Sequence, residues 1–334
     1  MMVAHTRDIY WDSLKWVLIV LVVYGHALAR LSNIPEHGLS QGISNFIYFF
    51  HMPLFVFISG RFSHVKERNK YVKGIFKLIE LYITFQILHS IYLYLAGTIV
   101  SLYSFLLIPK FSLWYLICLV WWRCLVLLLG EKYLENIKIL VIIISLCLCL
   151  LLGFIPVGKE LGFQRTFGYL PFFVFGYYSI DYQILAFIKK IPFYISSLFL
   201  ITAFAVIVIF FNMDMPMMNM TWPYGNDYGM FDRLFFLVLS SFFCISVIKV
   251  FSHERLIFNK IVGGGTLFIY LSHSFVIFLL EIIGFRGSNN IVILLLTILI
   301  VALLTYLSRF KLLTSVLTPY TFLKNQLKAR NQSC

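Results

Sequence analysis

The chain has 334 residues, of which 61% are hydrophobic and 12% charged, with a formal net charge of +13. Soluble domains carry about a quarter charged residues, so this composition excludes an ordinary soluble fold. The positive balance does not point to nucleic acid: long basic segments with interleaved aromatics are absent, and cytoplasmic loops of membrane proteins accumulate Lys and Arg in the same way.

The apolar residues come in continuous runs. Leu140 to Leu152, Ile195 to Phe211 and Ile291 to Leu307 hold no acidic or basic side chain. Such runs approach the roughly 20 residues needed to cross a bilayer core about 30 Å thick. They do not alternate, and backbone polar groups in lipid must be satisfied within the element, so helices are expected rather than barrel strands. The expected fold is an all-α polytopic membrane protein of about ten transmembrane helices, forming a single domain over 1–334. The spans are placed near 14–31, 44–62, 74–99, 112–130, 138–154, 167–187, 191–211, 231–250, 264–284 and 290–308. Arg7, Lys15 and the later Ala27-Leu28-Ala29 imitate a cleavable signal peptide, but the segment reads as a retained first helix.

Charge sorts the loops. Arg61, Lys66, Arg68, Lys70 and Lys73 follow span two; Lys132 and Lys138 follow span four; Lys189 and Lys190 follow span six; Lys249, Arg255 and Lys260 follow span eight. The alternate loops are poor in basic residues. The positive-inside rule then makes both termini cytoplasmic, with 309–334 a basic cytoplasmic tail. The loop from Asn212 to Asp232, rich in Met, Asn, Tyr and Gly, is the longest external segment. Its Trp222 and tyrosines are either interfacial anchors or a platform for carbohydrate. Six cysteines lie mostly within apolar runs, without metal-ligand or disulfide-framework spacing, and read as packing residues.

Ionisable groups inside spans are costly and default to functional candidates. In span one, Lys15 and His26 are separated by about 17 Å of helical rise and share nearly one face. Asp12, one turn before Lys15, can pair with it. Taken alone, this is equally a snorkelling Lys and a hydrogen-bonded interior His. In span two, His51 precedes Met52-Pro53-Leu54-Phe55 and Ser59-Gly60-Arg61. Pro53 frees a backbone carbonyl, Ser59-Gly60 admits close helix approach, and His51 is expected near the depth of His26. Span six opens with Arg165-Thr166-Phe167-Gly168-Tyr169-Leu170-Pro171. Spaced by three, Arg165, Gly168 and Pro171 form a stripe on one helical face. An Arg there either snorkels or holds a phosphate, a carboxylate or an oxyanion. Span nine runs from Gly263-Gly264-Gly265 to Tyr270 and His273, one turn apart. The triple Gly is a flexible entry and lacks the Lys and spacing of a phosphate loop. Glu80 and His89 of span three fall on opposite faces and need different partners.

These segments carry a resemblance. The chain resembles the membrane-bound acyltransferase family 3, especially its fucose 4-O-acetylase-like branch. Lys15 and His26 match that family's basic residue, ten-residue gap and His in the first helix. His51-Met52-Pro53-Leu54-Phe55 with Ser59-Gly60 is similar to its second-helix motif. Arg165-x-x-Gly168-x-x-Pro171, followed by Phe172-Phe173 and Gly176, matches its Arg-Gly-Pro motif, and Ile269-Tyr270-Leu271-Ser272-His273 is similar to a segment late in its bundle. Lys15 departs from the Arg of many relatives, so any anion there is held by a point charge rather than a bidentate fork.

The resemblance implies a membrane O-acyltransferase that moves an acyl group, usually acetyl, from acyl-CoA to a hydroxyl of a cell-surface or lipid-linked glycan. Acetyl-CoA is then a co-substrate, and no permanently bound cofactor or metal is expected. His26 is the expected general base or transient acyl carrier. Arg165 is expected to position the donor or the oxyanion, and Lys15 stands with them. Asp12, His51, Arg61, Gly168, Tyr270 and His273 are expected to bind substrate. The partners are acyl-CoA, the glycan acceptor and the lipid bilayer of the inner cell membrane, with oligomeric state left open. The rival reading is a multi-span transporter of a glycan or small anion, for which buried His, Glu and Arg are equally suited.

Overall fold

The computed structural model describes residues 9–32, 39–210, 218–225, 228–252, 265–310 and 313. Gly263-Gly264, residues 211–217 and 226–227 of the long loop, and nearly all of the expected tail lie outside the described residues. The described chain is helical with short connections, two isolated bridges aside. Its helices are α1 (Ile9–Leu31), α2 (Leu39–Arg61), α3 (Arg68–Leu95), α4 (Leu102–Leu107), α5 (Trp114–Leu129), α6 (Glu131–Asn136), α7 (Lys138–Leu151), α8 (Phe163–Gly168), α9 (Leu170–Tyr177), α10 (Ile184–Lys190), α11 (Phe193–Phe210), α12 (Met230–Ser252), α13 (Thr266–Ile282) and α14 (Asn290–Leu307). Seven segments, built on α1, α2, α3, α5, α11, α12 and α14, are long and apolar enough to cross a membrane, and two shorter apolar segments lie at 138–154 and 266–282.

Local chemistry explains several boundaries. The Asn289 side chain accepts from the Val292 N–H at 3.0 Å, satisfying a donor that the first turn of α14 leaves orphaned. Ser101 does the same for Ser104 at the start of α4. The sixth expected span differs from its prediction. Instead of one helix near 167–187, the chain forms α8 and α9 joined at Tyr169, then turns over 178–183 before α10. Pro171 has no N–H to donate back along a continuous helix but suits the first turn of a new one. Gln183, at φ 48°, closes the turn that follows. The stripe of Arg165, Gly168 and Pro171 is therefore split across two short helices.

Helix α2 is the centre of the bundle: 72% of its apolar window is buried, against 11% for the peripheral α11. It packs on α1, α9, α11 and α12. The tightest contact is with α9. A Cβ on Gly60 would strike the Phe173 carbonyl, and a Cβ on Gly176 would strike the Phe57 carbonyl. The two backbones thus touch through reciprocal glycines, as the Ser59-Gly60 pair led one to expect. On its other side, α1 packs against α13 and α14. The chain ends that flank these helices are tied together: the Gly287 N–H donates to the Leu31 carbonyl at 2.7 Å, and Arg30 bridges to Glu281 at 2.7 Å.

Candidate active site

The fold brings residues from five helices to one end of the bundle, where α1 and α13 finish and α5 and α8 begin. His26, half-buried, lies in the last turns of α1. Its ring meets that of His273 from α13 at 5.3 Å between centroids. His51, Arg30 and Arg165 are the other titratable or charged groups close enough to act on it. The expected cavity partners His51 and His273 therefore do converge on His26. Tyr48 of α2 adds a wall: its ring meets the His51 ring edge-on at 4.8 Å and lies beside Gly25 of α1.

The two buried histidines share a device. His51 Nδ1 lies 2.8 Å from the Ile47 carbonyl, and His273 Nδ1 lies 3.1 Å from the Ile269 carbonyl, each one turn back along its own helix. A carbonyl can only accept, so in a neutral ring Nδ1 carries the proton and Nε2 keeps its lone pair. His273 Nε2 is buried with no hydrogen-bond partner among the described residues. His26 makes no hydrogen bond among them either. These imidazoles do not build a metal cluster: among the described residues no group of three or more His, Cys, Asp and Glu could hold an ion.

Arg165 sits beside this group at the start of α8. Its Nε donates to the Asn219 carbonyl at 3.0 Å and its Nη2 to Thr221 Oγ1 at 2.9 Å. The guanidinium lies 4.4 Å over the Trp114 ring. Its partners are thus neutral, and among the described residues no carboxylate pairs with it. Gly162 makes the entry possible, adopting the left-handed φ of 69° that a side chain would disfavour. Gly168 faces Met220, whose Cβ would be 2.8 Å from an added Cβ. It lets the 218–225 segment settle on α8 rather than opening onto the His26 group. Tyr270 is tied away: its hydroxyl donates to the Ser112 carbonyl, and its ring packs on Tyr115. It holds α13 against the start of α5, one turn from His273.

The remaining candidates lie at the opposite end. Lys15 pairs with Asp12 at 3.7 Å and covers the Phe62 ring at 4.5 Å. Arg61 donates to Ser179 Oγ at 2.9 Å and stacks over Trp11 at 5.1 Å. Nearby, His64 approaches Glu131 at 3.5 Å, and Lys138 pairs with Asp181 at 2.9 Å. Asp12, Lys15 and Arg61 therefore form a separate charged surface, remote from the His26 group.

Sequence reading missed Arg233. It is wholly buried in α12 and donates to Tyr228 Oη (2.7 Å), the Cys149 carbonyl (2.9 Å), the Trp222 carbonyl (3.3 Å) and Gln164 Oε1 (3.4 Å). It clamps Trp222 and Tyr228 to α7 and α8. With Tyr169, whose hydroxyl donates to the Met218 carbonyl at 2.9 Å, it fixes the two atoms that hold Arg165. The available signal was an arginine at the start of span eight, on the side where basic residues are scarce. His89 was noticed, but its surroundings were not legible: both ring nitrogens lack partners among the described residues, and the ring stacks on Phe275 at 4.1 Å.

A family model described as an acyltransferase domain, of the acyltransferase 3 type, matches residues 8–309. The chain belongs to this family. It is a multi-helical member of a family of membrane acyltransferases, and His26, His51, Arg165 and His273 all fall within the match. Nodulation protein NolL of Sinorhizobium fredii (strain NBRC 101917 / NGR234) is 48% identical over 59 residues, which is 17% of this chain and 16% of that protein. No solved structure gives a significant match.

Proposed function

We propose that this protein transfers an acyl group, acetyl in the simplest case, from acyl-CoA to a hydroxyl of a cell-surface or lipid-linked glycan. The observation that carries the reading is the meeting of His26 and His273 beside an Arg165 with only neutral partners, in a chain of the acyltransferase family. The chemistry requires such groups. A sugar hydroxyl is a weak nucleophile and needs a base, and a neutral imidazole has the right proton affinity near pH 7. As the hydroxyl oxygen forms its bond to the thioester carbon, His26 takes the hydroxyl proton. The carbonyl oxygen becomes an oxyanion facing the Arg165 guanidinium. The C–S bond then breaks, and His26 returns the proton to the CoA thiolate. The acyl group can alternatively rest on His26 itself before the sugar attacks.

In the same reading the chain crosses the inner cell membrane ten times, with both termini cytoplasmic. The seven long helices, the segments 138–154 and 266–282, and the broken α8–α9 pair supply the crossings. The Lys15 end is then cytoplasmic. Lys15, Arg61, Lys66 and Lys73 draw the phosphates of CoA to that face, and the pantetheine arm reaches between helices toward His26. The Arg165 end faces outward, to the glycan. Supplying labelled acetyl-CoA to proteoliposomes containing the purified protein separates enzyme from transporter. Label appearing in saccharide acetyl esters is expected. Saccharide or anion flux without any acetyl-CoA consumption would replace this reading with the transporter.

A further inference from the structure

Beside Arg165 the structure has an open cleft lined by Pro109, Trp114, Gly158, Lys159, Gly162 and Thr221. Its chemistry is uneven in a telling way. Lys159 is exposed, and its ammonium lies 4.9 Å over the Trp222 ring. Among the described residues it has no hydrogen bond and no carboxylate partner. Arg165 spends its Nε and Nη2 on neutral acceptors, which leaves Nη1 with no partner among the described residues. The carboxylate adjacent in sequence, Glu160, reaches the rim of the cleft, where its Oε2 lies beside Gly158. It accepts the Tyr103 hydroxyl at 2.5 Å, and this bond, with nearby backbone N–H groups, holds its carboxyl below the usual range.

Two cations thus line one cleft against a single carboxylate at its rim, Glu160, whose Oε2 lies beside Gly158 and whose Oε1 is held by Tyr103. Trp114 lines the cleft with its ring under the Arg165 guanidinium and stacked on Tyr169, the exposed Trp222 lies next to it under the Lys159 ammonium, and Gly158 and Gly162 carry no side chains. Aromatic faces pack against the apolar face of a sugar ring, while a guanidinium and an ammonium recognise a carboxylate or a phosphate. The segment holding Trp222 and Thr221 is itself anchored by Arg233 and Tyr224, whose N–H donates to the Gly153 carbonyl at 2.7 Å.

We propose that this cleft is a subsite for the anionic group of a charged saccharide, held between Lys159 and Arg165 with the sugar ring against the exposed Trp222. This rests on the glycan-acceptor reading and specifies its class: an acceptor bearing either an acid on the sugar or a phosphate in its linkage. The anion sets the acceptor's register, so that one neighbouring hydroxyl is presented to His26.

The test is a binding titration of the full-length protein in nanodiscs with no acyl donor present. The ligands are trigalacturonate, its carboxyl-reduced galactose counterpart, and a neutral monosaccharide joined through diphosphate to a short polyprenol, against the free monosaccharide. One charged ligand should bind at least about tenfold tighter than its neutral counterpart, as charge-assisted contacts dictate. Which one does so identifies the source of the anion. Lys159→Met should weaken that ligand about fivefold and leave the neutral sugars unchanged. Equal affinity for charged and neutral ligands, no binding of either charged ligand, or indifference to Lys159→Met overturns the proposal. Acyl transfer is not read in this titration. Failure here leaves transfer to neutral acceptors standing, and a failure to consume acetyl-CoA would leave the binding difference intact.

Discussion

The two ends of the bundle treat charge differently. At the Lys15 end, Lys15 with Asp12 and Lys138 with Asp181 are cation–carboxylate pairs, His64 faces Glu131, and Arg61 and Lys15 lie on aromatic rings. At the other end Arg165 and Arg233 are held by carbonyls, hydroxyls, a carboxamide and rings, with three imidazoles close by. An exposed ion pair neutralises itself and contributes little beyond local geometry. A buried cation with neutral partners is expensive, and it is retained where charge arrives during function. The contrast separates a surface whose charges are largely paired, and which in the proposed reading meets the phosphates of CoA, from a site whose cations keep neutral partners beside the imidazoles. Arg30 with Glu281 is the exception at the reactive end: a paired cation that still lies close enough to act on His26.

Substitutions sharpen or break this contrast. The largest expected effect among them is at Arg165. Arg165→Ala should lower kcat for acyl transfer by about 10²–10³-fold, the range for removing an oxyanion donor. Arg165→Lys should recover little of it, because an ammonium cannot bond Asn219 and Thr221 together while facing a third group. Steady-state kinetics with labelled donor checks both. Arg233→Met comes next. It strands buried carbonyls and should cost about 2–3 kcal/mol of stability, with the 218–229 segment becoming protease-sensitive while cleavage at the Lys15 end is unchanged. Gly176→Ala should cost about 1–3 kcal/mol by forcing α9 off α2, read as a lower melting temperature in detergent. The smallest effect is at Lys138: Lys138→Met should leave transfer and melting temperature unmoved. A large activity loss there would erase the distinction between the two ends.

The sequence made the helical membrane character and most spans legible, because each is a local property. Run length reports a span, and Lys15 and His26 share a helix whose geometry is known. His51 and His273 were legible as polar interruptions of apolar runs. Their meeting with His26 was open from spacing alone, since it depends on how α1, α2 and α13 pack. The break at Tyr169 was misread because Pro171 was counted as a stripe member rather than as the start of a new helix. Gly168 and Tyr270 were assigned to substrate from their motifs, whereas they contact Met220 and Ser112. Arg233 was passed over because its four partners come from α7, α8 and the segment before its own helix. No window along the chain brings them together.

The central claim is that His26 handles the proton or the acyl group in transfer. Single-turnover transfer from labelled acetyl-CoA to saccharide, with purified wild-type protein and His26→Ala at matched levels, tests it most directly. A loss of about 10²–10⁴-fold in the transfer rate, the range for general acid–base catalysis, with unchanged melting temperature, is the predicted result. Transfer at the wild-type rate by the folded variant would contradict it and remove His26 from the mechanism.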